Sequence, residues 1–139
     1  MTTQGTLDLK TVEGTRLQFE ASFRKSTILF DSGPEATAAS PMLHLLGSLA
    51  ACEAMDVISI LRKKRLDITG YTVEMLAERA EQHPKRYTSI TLVHRVTGHN
   101  VPLAALEEAV RLSEERYCSV HFSLDPAMPM TSRCEVAEG

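Results

Sequence analysis

The stretch Ser40-Pro41-Met42-Leu43-His44-Leu45-Leu46-Gly47-Ser48-Leu49-Ala50-Ala51-Cys52-Glu53-Ala54-Met55-Asp56-Val57 constrains this chain more than any other. It opens on a serine that can cap free backbone donors. The proline that follows is harmless in a first helical turn, where its missing N–H would go unpaired anyway. Arg62, Lys63 and Lys64 suit the negative end of a helix dipole, so the pattern predicts one helix from Ser40 to Lys64. Between Met42 and Ala51 that helix is apolar nearly all round, as a central helix covered on several sides would be. His44, Ser48 and Glu53 interrupt the run. We therefore read a core helix rather than a membrane span, which needs about 20 apolar residues. Within it Ser48, Cys52, Asp56 and Ser59 recur at helical spacing as a polar line, expected to face a partner group, a subunit boundary or a cavity.

The rest of the chain alternates strands and helices. Thr6 to Glu13 alternates apolar and polar residues, Glu13-Gly14-Thr15 reads as a turn, and Arg16 to Ala21 alternates again. Ser26 to Phe30 is a third strand, ending in the loop Asp31-Ser32-Gly33-Pro34. Gly70 ends the connection after the long helix. Tyr71–Ala77 and Thr88–Val96 are two further strands, and Met130–Val136 is a short final one. A helix opens near Pro102, with Leu103, Leu106, Val110, Ser113 and Tyr117 as its core stripe and a Glu107–Arg111 pair on its exposed face. The order implies one α+β domain over residues 1–139, with helices packed on one face of the sheet.

Composition narrows the function. A net charge of −3 with mixed signs leaves no basic face for nucleic acid, and the absence of tryptophan argues against a base-stacking surface. The first residues, Met1-Thr2-Thr3-Gln4-Gly5-Thr6, have neither a cationic nor an apolar leader segment. Three cysteines without an export signal indicate a reducing, cytoplasmic setting, in which a reactive or buried thiol is expected before a static crosslink. No Cys-x-x-Cys pair occurs and the five histidines show no ligand spacing, so no metal is expected. No glycine-rich phosphate loop occurs, and no cofactor is expected.

The cysteines are the chemistry-bearing residues that remain. Taken alone, Cys52 in such a helix reads as a small core hydrophobe. Cys118 follows the helical stripe in Glu114-Glu115-Arg116-Tyr117-Cys118-Ser119-Val120 and can begin a new short turn. At a helix N-terminus, exposed backbone donors would favour its thiolate. Cys134 lies on the alternating tail and is read as incidental.

Together, Ser40-Pro41-Met42, Leu49-Ala50-Ala51-Cys52, Asp56-Val57 and Tyr117-Cys118-Ser119-Val120 resemble the OsmC/Ohr family of thiol-dependent peroxidases, nearest to a branch with the "SPM…C…DV" and "YCSV" motifs. The resemblance implies an α+β, OsmC-like fold, with antiparallel sheets wrapped around long central helices in an intertwined homodimer. It implies a peroxidase acting on organic hydroperoxides. Cys52 would be the peroxidatic thiolate, Cys118 the resolving thiol, and an external thiol the reductant. Arg16 best matches the family's arginine, with Arg24 the alternative. The family's glutamate before the peroxidatic cysteine is replaced here by Met42 and Leu43, so the arginine is expected to be loosely held. Two other readings remain open: a non-catalytic module binding an apolar ligand at the dimer interface, and a redox sensor.

Overall fold

The structure is a computed structural model describing residues 1–11, 14 and 16–139. The chain divides into two compact units, Met1–Leu46 and Gly47–Gly139.

The first unit is an antiparallel sheet in the order β1 (Gly5–Leu9), β2 (Phe19–Phe23) and β3 (Ser26–Phe30). Arg24 and Lys25 form the tight turn that sets Phe23 opposite Ser26 and Phe19 opposite Phe30. β2 starts later than the alternation from Arg16 suggests. The Thr11 hydroxyl donates to the Arg16 carbonyl at 3.1 Å and accepts the Gln18 N–H at 3.2 Å, replacing ladder bonds there. Gly14 has φ 72°, the left-handed conformation expected of its turn. The expected strand end at Glu13 and turn residues Glu13 and Thr15 lie outside the described residues. Past β3, Ser40 Oγ accepts the Leu43 N–H at 3.3 Å, as a helix cap should. His44 Nε2 lies 2.7 Å from the Leu29 carbonyl, tying the first turn of α1 (Pro41–Lys63) back to the sheet.

The second unit carries the rest of α1, a hairpin of β4 (Asp67–Arg79) and β5 (Tyr87–His99), α2 (Leu103–Leu112), a π turn (Ser113–Tyr117), α3 (Ser119–Phe122) and β6 (Met130–Glu138). β4 and β5 outrun the expected strands because their backbone ladder continues from Asp67 opposite His99 to Arg79 opposite Tyr87, whatever the side-chain pattern at the ends. Gly70 lies inside β4, beside a register shift, rather than ending the connection. β6 runs parallel to β5, from Met130 beside Ile90 to Glu138 beside Gly98. The expectation of purely antiparallel sheets is thus corrected to a mixed sheet of order β4-β5-β6. The helical crossover between β5 and β6 returns the chain to the same end of the sheet, which makes the pairing parallel.

Val57 and Leu61 of α1, Val96 of β5, Val101, and Leu106, Ala109 and Val110 of α2 form the core of this unit. On α1 the buried residues are Leu49, Ala50, Glu53, Val57 and Leu61, a line spaced by about one turn. Leu43, Leu45 and Met55 are exposed, so the cover expected on several sides is not supplied within one chain. By length and composition alone α1 is apolar enough to cross a membrane, with mean hydropathy 1.4. Its inward line is nonetheless a protein core holding a buried glutamate. On α2 the stripe also shifts. Leu106, Ala109, Val110 and Ser113 are buried, whereas Leu103 and Tyr117 are exposed. Arg111 pairs with Glu115 at 2.9 Å and not with Glu107. The π turn closes with the Cys118 N–H on the Ser113 carbonyl at 2.8 Å, and that wider turn delivers Cys118 into the interior.

Leu61 is wholly buried in this core. We expect Leu61→Ala to cost about 2–5 kcal/mol through the cavity it leaves, read as a lowered urea midpoint with unchanged m-value. A loss below about 1 kcal/mol would mean the site collapses or the packing is otherwise.

Candidate active site around the cysteine pair

Cys118 caps α3. Its Sγ accepts the His121 backbone N–H at 3.3 Å, and the residue is fully buried. The helix-terminal position considered from sequence is therefore occupied, but its effect on the thiol is outweighed. Burial first, and then the neighbouring Cys52 and Glu53, push the Cys118 thiol up to about 12 against the single His121 donor. Cys52, half-buried on α1, neighbours the Cys118 thiol and helps push it up. Two elements far apart in sequence thus bring both thiols together, and both are reduced. Cys134, on β6, is also a free thiol; burial first, then Glu107, Glu114 and Glu53, push it up to about 11. Of the expected polar line on α1, Ser48 and Ser59 are exposed, whereas Cys52 and Asp56 are half-buried, and Asp56 Oδ2 accepts the Ser113 hydroxyl at 2.8 Å.

Beside the thiols lies Glu53, next to Cys52 in sequence, a carboxylate that no motif assigned a role. Glu53 is fully buried on α1. Its Oε1 lies 3.4 Å from His94 Nε2 and its Oε2 lies 3.9 Å from His121 Nδ1. None of those four atoms makes a hydrogen bond. His94 is fully buried on β5, and its Nδ1 is 2.7 Å from the Tyr71 hydroxyl on β4. Burial, then the charges of Glu53 and Cys134, push the Tyr71 phenol up, so it stays protonated and donates to His94 Nδ1. The ring hydrogen of His94 then belongs on Nε2, the side facing Glu53. Glu114 of the π turn is raised chiefly by burial and also by Glu53, while the Ser132 hydroxyl that it accepts opposes the rise. Glu53 was legible only as the single carboxylate on the i, i+4 line Leu49-Glu53-Val57-Leu61; His94 carried no local signal.

Arg16 belongs to the first unit. Its guanidinium donates to Asp31 Oδ2 at 3.0 Å and to the Thr37 hydroxyl at 3.4 Å, and Gln18 Nε2 donates to the same Asp31 oxygen at 3.2 Å. Arg24 occupies the exposed β2–β3 turn. Among the described residues no group of three or more His, Cys, Asp or Glu is arranged to hold a metal ion.

Residues 33–133 match the family of OsmC-like proteins. The chain belongs to that family. It is 41% identical over 109 residues to Protein YhfA of Escherichia coli strain K12, an overlap covering 78% of this chain and 81% of YhfA. A hypothetical protein from Aquifex aeolicus VF5 superposes with a TM-score of 0.86 at 29% identity, over 100% of this chain and 98% of that one. The organic hydroperoxide resistance protein OhrB of Bacillus subtilis superposes with a TM-score of 0.57 at 15% identity, over 96% and 98%, a likeness of fold alone.

Arg16 is not loosely held, contrary to expectation: the buried Asp31, in the loop after β3, supplies its carboxylate. The Thr37 N–H, followed by the Ser32 N–H, Arg16 and Gln18, holds the Asp31 carboxyl well below the usual carboxylate range, with burial opposing. The stability it contributes is complete above the ordinary value of about 4 and is lost as pH falls towards the depressed one. We expect Asp31→Asn to lower the urea midpoint by a constant amount between about pH 5 and 7, the gap closing below about pH 4. A gap unchanged at acid pH would contradict this ion network.

Proposed function

We propose that this OsmC-like chain is a thiol-dependent peroxidase that reduces organic hydroperoxides. The Cys52 thiolate attacks the distal peroxide oxygen, the O–O bond breaks, the alcohol departs, and Cys52 is left as a sulfenic acid. Cys118 condenses with it to a disulfide and releases water, and an external thiol restores both cysteines. The observation that carries this reading is the meeting of the Cys52 and Cys118 thiols. Relatives of the same fold named organic hydroperoxide resistance proteins add support. Exposed Leu43, Leu45 and Met55 favour an apolar substrate and a second subunit. The proposed unit is an intertwined, cytoplasmic homodimer of single-domain chains (residues 1–139), working without a cofactor.

A thiolate in apolar surroundings needs a cation, and Arg16 is proposed for that role. The ties of its guanidinium to Asp31 and Thr37 support it, because a charge fixed in place costs no reorganisation during reaction.

One equivalent of cumene hydroperoxide is expected to consume two thiols and yield a Cys52–Cys118 crosslink by peptide mass spectrometry. Cys52→Ser should consume none, and Cys118→Ser should stop at a sulfenic acid that dimedone traps. Arg16→Lys should slow peroxide consumption roughly 10²-fold. An unchanged thiol count in the wild type, or equal consumption by Cys52→Ser, would reject the peroxidase and favour an apolar-ligand module.

A further inference from the structure

We infer that Glu53 and His121 form a proton relay for Cys118: Glu53 takes the thiol proton as Cys118 attacks an oxidised Cys52, and His121 carries it onward. The inference rests on the peroxidase reading only for the natural oxidant.

The argument begins with protons. Cys118 is fully buried, so its thiol has no direct exchange with water. The step asked of it nevertheless needs the S–H bond to break. Near it is Glu53, both of whose oxygens are buried with no close hydrogen bond, only the 3.4 and 3.9 Å contacts to His94 and His121 and the neighbouring Glu114. Native interiors rarely leave such a group so poorly satisfied, and exceptions gather where a protein uses the group. The Glu53 charge reaches Cys118, and no other buried carboxylate on α1 has both oxygens unpartnered. Its two flanking histidines differ in kind. His94 is fully enclosed and locked by Tyr71, so it holds Glu53 in place. His121 is partly exposed. Its backbone N–H is on the Cys118 sulfur, its Nδ1 faces Glu53, and it lines a cavity of about 550 Å³ with Phe122, Leu124, Met128 and Met130. One residue therefore bonds the sulfur through its backbone, brings its ring to 3.9 Å from the acceptor, and lines an outlet.

The groups that interact with Glu53 are Tyr71 of β4, His94 of β5, Glu114 of the π turn, Cys118, His121 of α3 and Cys134 of β6. Of these, Glu114 is already tied to the Ser132 hydroxyl, and Tyr71 to His94. The step balances. The S–H pair of Cys118 forms the new S–S bond, and the S–O pair of the Cys52 sulfenic acid leaves with oxygen. The Cys118 proton passes through Glu53 and His121 to the departing hydroxide, which leaves as water.

The test follows the second step without any peroxide. In a Cys134→Ser background, dithiobis(nitrobenzoic acid) should release one thionitrobenzoate on reaction with Cys52 and a second when Cys118 displaces it. The wild-type second phase should be flat from about pH 6 to 8, as a buried general base would make it. Glu53→Gln should leave the first phase unchanged and slow the second roughly 10²-fold, with a tenfold rise per pH unit, and Glu53→Asp should recover part of the rate. A second phase in Glu53→Gln as fast as wild type, or faster, overturns the relay, because Glu53 would then act only as a repelling charge. Should Glu53→Gln fail to fold, the wild-type profile and His121→Asn decide: a wild-type rate climbing tenfold per unit from pH 6 to 9, or an unslowed His121→Asn, overturns it equally. A parallel dimedone trap in Cys118→Ser after cumene hydroperoxide separates the two ideas. Two clean disulfide phases with no sulfenic acid would remove the peroxidase and leave the relay standing.

Discussion

A carboxylate and a thiol buried side by side govern this structure. Glu53 sits on the core line of α1 between Leu49 and Val57, where a leucine would pack at no electrostatic cost. Burying a carboxyl group there with only long contacts to two histidines opposes folding. The apolar residues around it supply the compensation: Leu49, Val57 and Leu61 on the same line, and Val96, Leu106 and Val110 from elements packed against it. The glutamate is affordable because the helix carrying it is so apolar.

The same arrangement explains why Cys118 is not a ready thiolate. A capping position at the start of α3 gives it one backbone donor, yet exclusion of water and the nearby Glu53 outweigh that donor. In the proposed cycle a resolving thiol held this way would not compete with Cys52 for oxidant, and would react only when its proton had somewhere to go. The π turn is the device that achieves the burial, since closing on Ser113 rather than continuing α2 turns Cys118 inward beneath α1.

Much of the fold was legible because its signals are local. Ser40-Pro41 fixed the start of α1 through capping chemistry, and the strand read at Ser26–Phe30 matches β3 residue for residue. Features set by pairing were not legible. β4 and β5 extend beyond their apolar alternation because a hairpin ladder persists through polar ends, and nothing in Met130–Val136 announces a parallel neighbour. The site divides in the same way. Cys52 and Cys118 stand out by motif. Glu53 looked like a mere sequence neighbour of Cys52, and His94 like an unremarkable strand residue, until β5 crossed under α1. The ion partner of Arg16 was sought in the helix and stands instead at Asp31, just after β3, in the loop.

The account stands most directly on the state of the Cys118 thiol. Alkylation of all three cysteines by iodoacetamide, followed across pH by peptide mass spectrometry, reads that state. The account predicts that Cys118 is the last to react, staying unmodified until the pH nears the value of about 12 to which burial pushes it, and that Glu53→Gln moves this onset downward. Modification of Cys118 alongside an ordinary free thiol, near about pH 8.5, would contradict it.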